Sequence, residues 1–279
     1  MADEAPTIRV EVVDSVSTVA FARPELRNPL GLRTYRELTA ALQRADADDA
    51  VRCHVITGDG VAFSSGGELG SGQPHETTWD WYVTHEELGR HLNGIRDLHK
   101  PVIGAVNGIC FGSGLILAAH CDIVIASDQA TFSFIEGRMG LAGVGMMAHL
   151  IGPQWAKFLM VTGEIIDAAK AKDIGIVLEV IEHARFADKV AALGQRVAAM
   201  PPYGVMLNKR NVNAAMDAAG WLLTKGFNQS HYPVIDSMAP HAVAADGRRL
   251  VDIMRDEGWK AWRTARDAPF AEPWLETKG

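Results

Sequence analysis

Lys100 to Ala126 reads KPVIGAVNGICFGSGLILAAHCDIVIA. Val102 to Val106 is a β-branched apolar run, the composition of a buried strand. Asn107-Gly108 and Gly112-Ser113-Gly114 then space glycines through a tight turn, a small-residue helical stretch follows, and Ile123 to Ala126 is a second apolar run. The order is strand, turn, buried helix, strand. Glycine lets backbone approach a ligand and aim N–H groups at it, and a helix starting there adds its positive dipole end. The same glycines also suit a crossover that needs only close packing. Neither G-x-x-x-x-G-K-[ST] nor G-x-G-x-x-G occurs, which disfavours a phosphate cradle.

Working outward, Ile8 to Val13 and Val16 to Phe21 predict a hairpin turning at Asp14-Ser15. Asn28 or Gly31 is placed to cap a helix carrying Leu32, Tyr35, Leu38 and Leu42 on one face. Cys53 to Thr57 predicts a strand, followed by a loop from Gly58 to Gly72 with the adjacent glycines Gly66-Gly67. Two small-residue loops, each after a strand, can bring two backbone N–H groups onto one oxygen atom. Trp79 to Leu98 predicts a helix that stops before Pro101. Beyond the central stretch come a strand over Ala130 to Phe134, helical segments over Gly145 to Leu150 and Gln154 to Val161, a short helix capped by Asp167, and a strand over Val177 to Ile181. Helices alone are predicted from there to about Ala268. The pattern divides the chain into an α/β core domain, residues 1–182, and a helical C-terminal region, residues 183–279.

Glu136 follows the predicted strand at once, between Phe134-Ile135 and Met139. A solvated turn residue is one reading of it. The other is a carboxylate in an apolar pocket, where desolvation raises the pKa and suits the group to proton transfer.

Composition narrows the function classes. The chain has 279 residues, 48% of them hydrophobic, and a formal net charge of −7. The charge argues against nucleic acid as the main partner. Cys53, Cys110 and Cys121 cannot all pair and show no C-x-x-C spacing, which points to a reducing cytoplasm and no structural metal. The acidic start MADEAPT is unlike a signal peptide, and no run reaches the roughly 18 apolar residues of a spanning helix, so no membrane association is expected.

Taken together, the motifs resemble the crotonase superfamily, the enoyl-CoA hydratase/isomerase group, over roughly Ile8 to Phe270. The family's P-V-I-A-A-V-N-G-x-x-x-G-G-G is similar to Pro101 to Gly114, with C-D-I at Cys121-Asp122-Ile123. Its A-F-x-A-G-x-D-[LI] is similar to Ala62 to Leu69, with Glu68 for Asp. Its A-x-F-x-x-P-E is similar to Ala130 to Glu136, with Ile135 for Pro. The resemblance implies an α/β fold, a spiral of ββα units with a helical C-terminal trimerisation region, assembling as a trimer or dimer of trimers. It implies an acyl-CoA substrate and no cofactor beyond the coenzyme A of that substrate. By position it assigns the oxyanion hole to the N–H groups of Ser65 and Ser113 and the general acid/base to Glu136. Arg23 and Arg27 would meet the CoA phosphates. Ala62, Ser64, Gly66 and Gly67 of one loop, with Gly112, Gly114 and Ile116 of the other, would face the substrate.

One departure bears on mechanism. Hydratases of the family present two glutamates, and the earlier one falls on Ile116, which cannot carry a proton. A lone carboxylate is enough for double-bond migration, and is enough for hydration if a second group holds the water. Ser113, Tyr82, His85, His91, His149 and Tyr232 are candidates for that group, whereas His120 is placed near a helix C-terminus, where the dipole favours it without any chemistry. Two alternatives stand beside hydratase or isomerase chemistry. One is a carbon–carbon lyase or hydrolase acting on a ring-derived acyl-CoA, with Trp79, Trp81 and Tyr82 lining a wide pocket. The other is a non-catalytic CoA-ester-binding homologue. A serine hydrolase would need a G-x-S-x-G elbow, which is missing. Asp236 to Arg255, longer than the family's usual connection, is either a helix lining a neighbouring subunit's pocket or a surface excursion.

Overall fold

Ile8–Val13 (β1) and Val16–Phe21 (β2) pair antiparallel from Ile8 opposite Phe21 to Val13 opposite Val16. Asp14 and Ser15 both take positive φ, 49° and 64°, as a two-residue turn between twisted strands requires. The computed structural model describes residues 5–69 and 76–275, so the end of the predicted Gly58 to Gly72 loop lies outside the described residues.

After the hairpin come α1 (Leu32–Ala47), β3 (Cys53–Gly58), β4 (Ala62–Ser64), α2 (Thr78–Asp97), β5 (Val102–Val106), β6 (Ile109–Phe111) and α3 (Ser113–Ala118). Then follow β7 (Ile123–Ser127), β8 (Thr131–Ser133), a 3-10 turn (Ile135–Met139), α4 (Met147–Thr162), β9 (Ile166–Asp167), α5 (Ala168–Asp173) and β10 (Glu179–Ile181). Two sheets result, one in the order β1-β2-β3-β5-β7-β10 and a smaller one in the order β4-β6-β8-β9. From β2 on, the large sheet is parallel. Three times the chain lays a strand in the large sheet and the next in the small one, as β3/β4, β5/β6 and β7/β8. That alternation is the coiled ββα architecture.

The central strand β5 is buried at all five positions, which is why it reads as an unbroken apolar run. The main core lies against one face of the sheet and includes Leu38, Leu42, Phe132, Phe134 and Leu115. Phe21 and Phe63 meet there edge to face at 5.5 Å. Each such side chain, removed from water, stabilises the fold by about 1.5–3 kcal/mol. On the other face Val55, Ile103 and Ile125 pack against Phe186 of α6 (His183–Ala198).

The described chain is helical from His183 on, through α7 (Pro202–Ala218), α8 (Trp221–Met238) and α9 (Leu250–Asp267). Trp221 is buried in the main core, so α8 is part of the body that holds the site. Asp236 to Arg255 ends α8, passes through a 3-10 turn at Ala239–His241 and a bridge between Val243 and Arg249, and enters α9. Leu250 and Ile253 form a small separate cluster with Trp262, against Met139. No helix among the described residues is long and apolar enough to cross a membrane.

Two local expectations are resolved by the fold. Of the two candidate caps for α1, Gly31 is the N-cap. The Asn28 side chain accepts from the Arg23 N–H and donates to the Asp59 and Ala62 carbonyls, tying its own loop to the β3–β4 turn. The two helical segments expected around residue 150 are the two parts of α4, which meet at a break at Gly152, where φ is 74° and Pro153 follows.

Candidate active site

Strand β6 delivers the chain to Gly112, whose φ of 48° and ψ of −117° open the turn into α3. A Cβ at Gly112 would stand 2.9 Å from Glu136 Oε2, so the absence of a side chain is what admits the carboxyl group. Ser113 is the first residue of α3, and its N–H lacks an intrahelical acceptor, as first-turn groups do. No other acceptor meets it among the described residues.

The second loop sets its partner. The Ser65 N–H donates to the Arg27 carbonyl at 2.8 Å, so the expectation that it faces a ligand is corrected. The Leu30 N–H donates to the Gly66 carbonyl at 2.8 Å and the Glu68 N–H to the Leu30 carbonyl at 3.2 Å, a parallel bridge between Leu30 and Gly67. Such a bridge turns the N–H of its central residue away from the partner strand. The Gly67 N–H therefore points away from Leu30, and a Cβ on Gly67 would lie 3.4 Å from Ser113 Oγ. Among the described residues, neither the Gly67 nor the Ser113 N–H has a backbone acceptor, and the two residues are neighbours.

Glu136 is the second residue of the 3-10 turn after β8 and is 8% exposed. Its Oε2 is buried without a hydrogen-bond partner. Burial pushes its pKa up to about 7, opposed only by its own backbone N–H. A carboxyl group that gains and releases a proton near neutrality is suited to general acid and base work in turn.

These groups line one cavity of about 1030 Å³, with Ser65, Gly66, Gly112, Ile116 and Arg27 among its walls. The remaining expected contacts lie elsewhere. Ser64 is fully buried behind the loop, where its Oγ accepts from the Gly66 N–H at 3.1 Å. Gly114 abuts it so closely that a Cβ would come 2.8 Å from Ser64 Cβ. Ala62 is also fully buried, and its carbonyl accepts from Asn28. These three brace the loops and do not line the cavity. Arg23 is committed to Glu68 at 2.6 Å and to the Pro29 carbonyl at 2.7 Å. It too is absent from the lining, which leaves Arg27 as the arginine of that pair on the cavity wall.

The opposite wall comes from α2 and α8, which present Leu88, Leu92, His85, Gln229, Tyr232 and Asp236. His85 Nε2 is in a close hydrogen bond with Asp236, and its ring stacks on Tyr232 with centroids 5.1 Å apart. The Tyr232 hydroxyl is buried without a partner. Tyr35, from α1, also lines this cavity. His120 also lines it, with its Nδ1 donating to the Ile116 carbonyl at 2.8 Å. Burial lowers the His120 pKa to about 4, so the helix-dipole account of a charged imidazole gives way to a neutral ring. Of the other expected helpers, His91, bonded through Nδ1 to Thr39, and His149, bonded to Thr224, do not line the cavity. Tyr82 stacks on Trp79, and neither they nor Trp81 reach the cavity. Periodicity alone would have found Leu88 and Leu92; Tyr35, Gln229 and Asp236 carry no sequence signal for a site.

The family model for enoyl-CoA hydratase/isomerase matches residues 11–238 of this chain. A 1,2-epoxyphenylacetyl-CoA isomerase of Escherichia coli is 30% identical over 211 residues, covering 73% of this chain and 80% of that protein. An (E)-benzylidenesuccinyl-CoA hydratase of Thauera aromatica is 30% identical over 229 residues, covering 80% and 88%. The crystal structure of an enoyl-CoA hydratase/isomerase from Xanthobacter autotrophicus Py2 superposes with a TM-score of 0.87 at 27% identity, over 95% of this chain and 99% of that one.

Proposed function

The chain belongs to the enoyl-CoA hydratase/isomerase family, and from that premise we propose that it adds water to, or moves, the double bond of an enoyl-CoA with Glu136 as the single acid/base. The thioester oxygen would sit between the Gly67 and Ser113 N–H groups, which gain most as the carbonyl becomes an enolate. Donors of this kind are each worth about 3 kcal/mol in comparable sites. Glu136 takes a proton from water or from carbon and returns it to the other end of the dienolate or enolate. No cofactor enters beyond the coenzyme A of the substrate, and Arg27 is the candidate for its phosphates.

The observation that carries this reading is the Glu136 carboxyl group, buried, unpartnered at Oε2 and adjacent to the start of α3. The test is turnover of 2-enoyl- and 3-enoyl-CoA esters in deuterated water, followed by mass spectrometry, beside Glu136→Gln. Addition of water or deuterium-labelled double-bond migration in the wild type, lowered about 10²–10⁴-fold in the variant, is the expected result. Turnover that survives the substitution would remove Glu136 from the chemistry. The carbon–carbon cleavage reading loses its motivation, because Trp79, Trp81 and Tyr82 stand outside the cavity.

A trimer or dimer of trimers belongs to the same proposal. Tyr203 and Leu207 of α7, with Leu223 and Phe227 of α8, are exposed apolar side chains in the helical region, and sedimentation velocity would detect their burial in an assembly. A cytoplasmic setting accords with Cys53, Cys110 and Cys121 all being free thiols.

A further inference from the structure

Among the described residues, five carboxyl groups surround the cavity: Glu25, Glu68, Glu136, Asp236 and Asp267. Glu68 is paired with Arg23, Asp236 with His85, and Asp267 with Arg138 and Arg266, while Glu25 is exposed. Of these five, Glu136 alone is both buried and unpaired. One carboxylate accepts one O–H of a water and leaves that water free to swing about the bond. Addition to carbon requires the lone pair to be aimed, and aiming requires a second contact. Ile116, on the α3 side, is hydrocarbon and cannot provide it.

The wall made by α2 and α8 can. The Tyr232 hydroxyl is buried, lines the same cavity as Glu136 and has no partner. A buried polar atom without a partner is destabilising unless a ligand or water completes it. Burial first, and then the charges of Glu136 and Asp236, hold the Tyr232 phenol well above its ordinary pKa. The phenol therefore stays neutral and feels Glu136 across the chamber. Its ring has little freedom, since it stacks on His85 at an interplanar angle of 16°. His85 is tied in turn to Asp236, one helical turn beyond Tyr232 on α8.

We propose that the Tyr232 hydroxyl holds the water that adds to the enoyl β-carbon, accepting one O–H while Glu136 accepts the other, with His85 and Asp236 as positioning residues for the ring. This rests on the water-adding arm of the function proposed above. In the step, the water oxygen bonds to the β-carbon as one of its protons passes to Glu136, and the displaced π pair moves through the α-carbon to the thioester oxygen. Glu136 then returns that proton to the α-carbon as the carbonyl reforms, so one water is added and Tyr232 ends with its own proton.

The experiment compares wild type, Tyr232→Phe and Asp236→Asn in two assays, hydration of crotonyl-CoA and deuterium exchange at the α-carbon of 3-butenoyl-CoA. Exchange needs Glu136 and the N–H pair but no aimed water. The expected result for Tyr232→Phe is a fall of about 100-fold in hydration kcat, with KM and exchange within threefold of wild type. Asp236→Asn should lower hydration kcat about tenfold at unchanged KM. Hydration by Tyr232→Phe within threefold of wild type overturns the role of Tyr232 and leaves the proposed function standing. Equal loss in both assays also overturns it, since Tyr232 would then support the site as a whole. A wild type that exchanges but does not hydrate overturns both the water-adding arm and the role built on it.

Discussion

Replacing Glu136 by glutamine should make the protein more stable at alkaline pH, and the size of the effect follows from the burial of the carboxyl group. Its pKa stands at about 7 in the folded chain against 4.5 for an exposed glutamate. A carboxyl group whose folded pKa is raised binds more protons in the native than in the unfolded state between those two values. Stability then falls as pH rises through that window, by about 1.4 kcal/mol for each pH unit crossed. The native state should therefore lose about 3 kcal/mol between pH 4.5 and full ionisation above pH 7. Glutamine cannot ionise and escapes the loss. Urea unfolding of both proteins, from pH 5 to pH 8.5, should show the advantage of Glu136→Gln growing from about 1 to about 3 kcal/mol, over any constant offset from the amide. The same variant should be catalytically impaired, the trade expected where an active group is held against its own solvation. A difference that does not change with pH would refute the argument, because it would mean that Glu136 ionises as freely in the folded protein as in the unfolded chain.

Three further outcomes test the site and its frame. Gly67→Ala should keep activity within about threefold, since its Cβ meets only Ser113 Oγ at 3.4 Å, whereas Gly66→Ala, at φ of 110° and 3.2 Å from the Phe111 carbonyl, should be strained by about 1–3 kcal/mol and lose activity at least tenfold in steady-state assays. Arg27→Ala should raise KM about tenfold for a CoA thioester but not for the same acyl group on N-acetylcysteamine, while Arg23→Ala, which forfeits Glu68 and the Pro29 carbonyl, should instead lower unfolding stability by about 1–2 kcal/mol. Burial raises the pKa of Asp46, but hydrogen bonds from His54, His99 and the backbone of His99 and Lys100 outweigh it and hold the carboxyl group well below its ordinary range. Its stabilisation is present above about pH 4 and lost as pH falls further, so Asp46→Asn should cost about 2 kcal/mol at pH 7 and flatten the acid limb of a pH–stability curve.

The long elements are legible in the sequence because each repeats its signal. Ile8 to Val13 and Val16 to Phe21 can be placed to the residue, since two alternating runs flank a turn only two residues wide. Strands β4, β6 and β9, of three, three and two residues, are too short to show any period. Glu136 stands out by its apolar neighbours, but residue types cannot choose between Ser65 and Gly67. Which peptide N–H faces the cavity depends on the bridge to Leu30, on a loop far from Gly67 in the chain, and no side chain reports it. Tyr232 and His85 separate from the other candidate helpers only because α8 packs across α2. For His120 the helix end favours a cation, and burial in the folded body decides against it.

Helix α8 has two working faces. Tyr232 and Asp236 look into the chamber, while Leu223 and Phe227 lie exposed on the outside. Any neighbour seated on the outer face grips the same rod that carries the inner one, so quaternary contacts would set the tilt of the Tyr232 ring. In the proposed assembly, enzyme concentration would then become a variable of the chemistry. Rates would scale linearly with protein only above the dissociation constant of the assembly, and dilution would register as a loss of specific activity before any unfolding is seen.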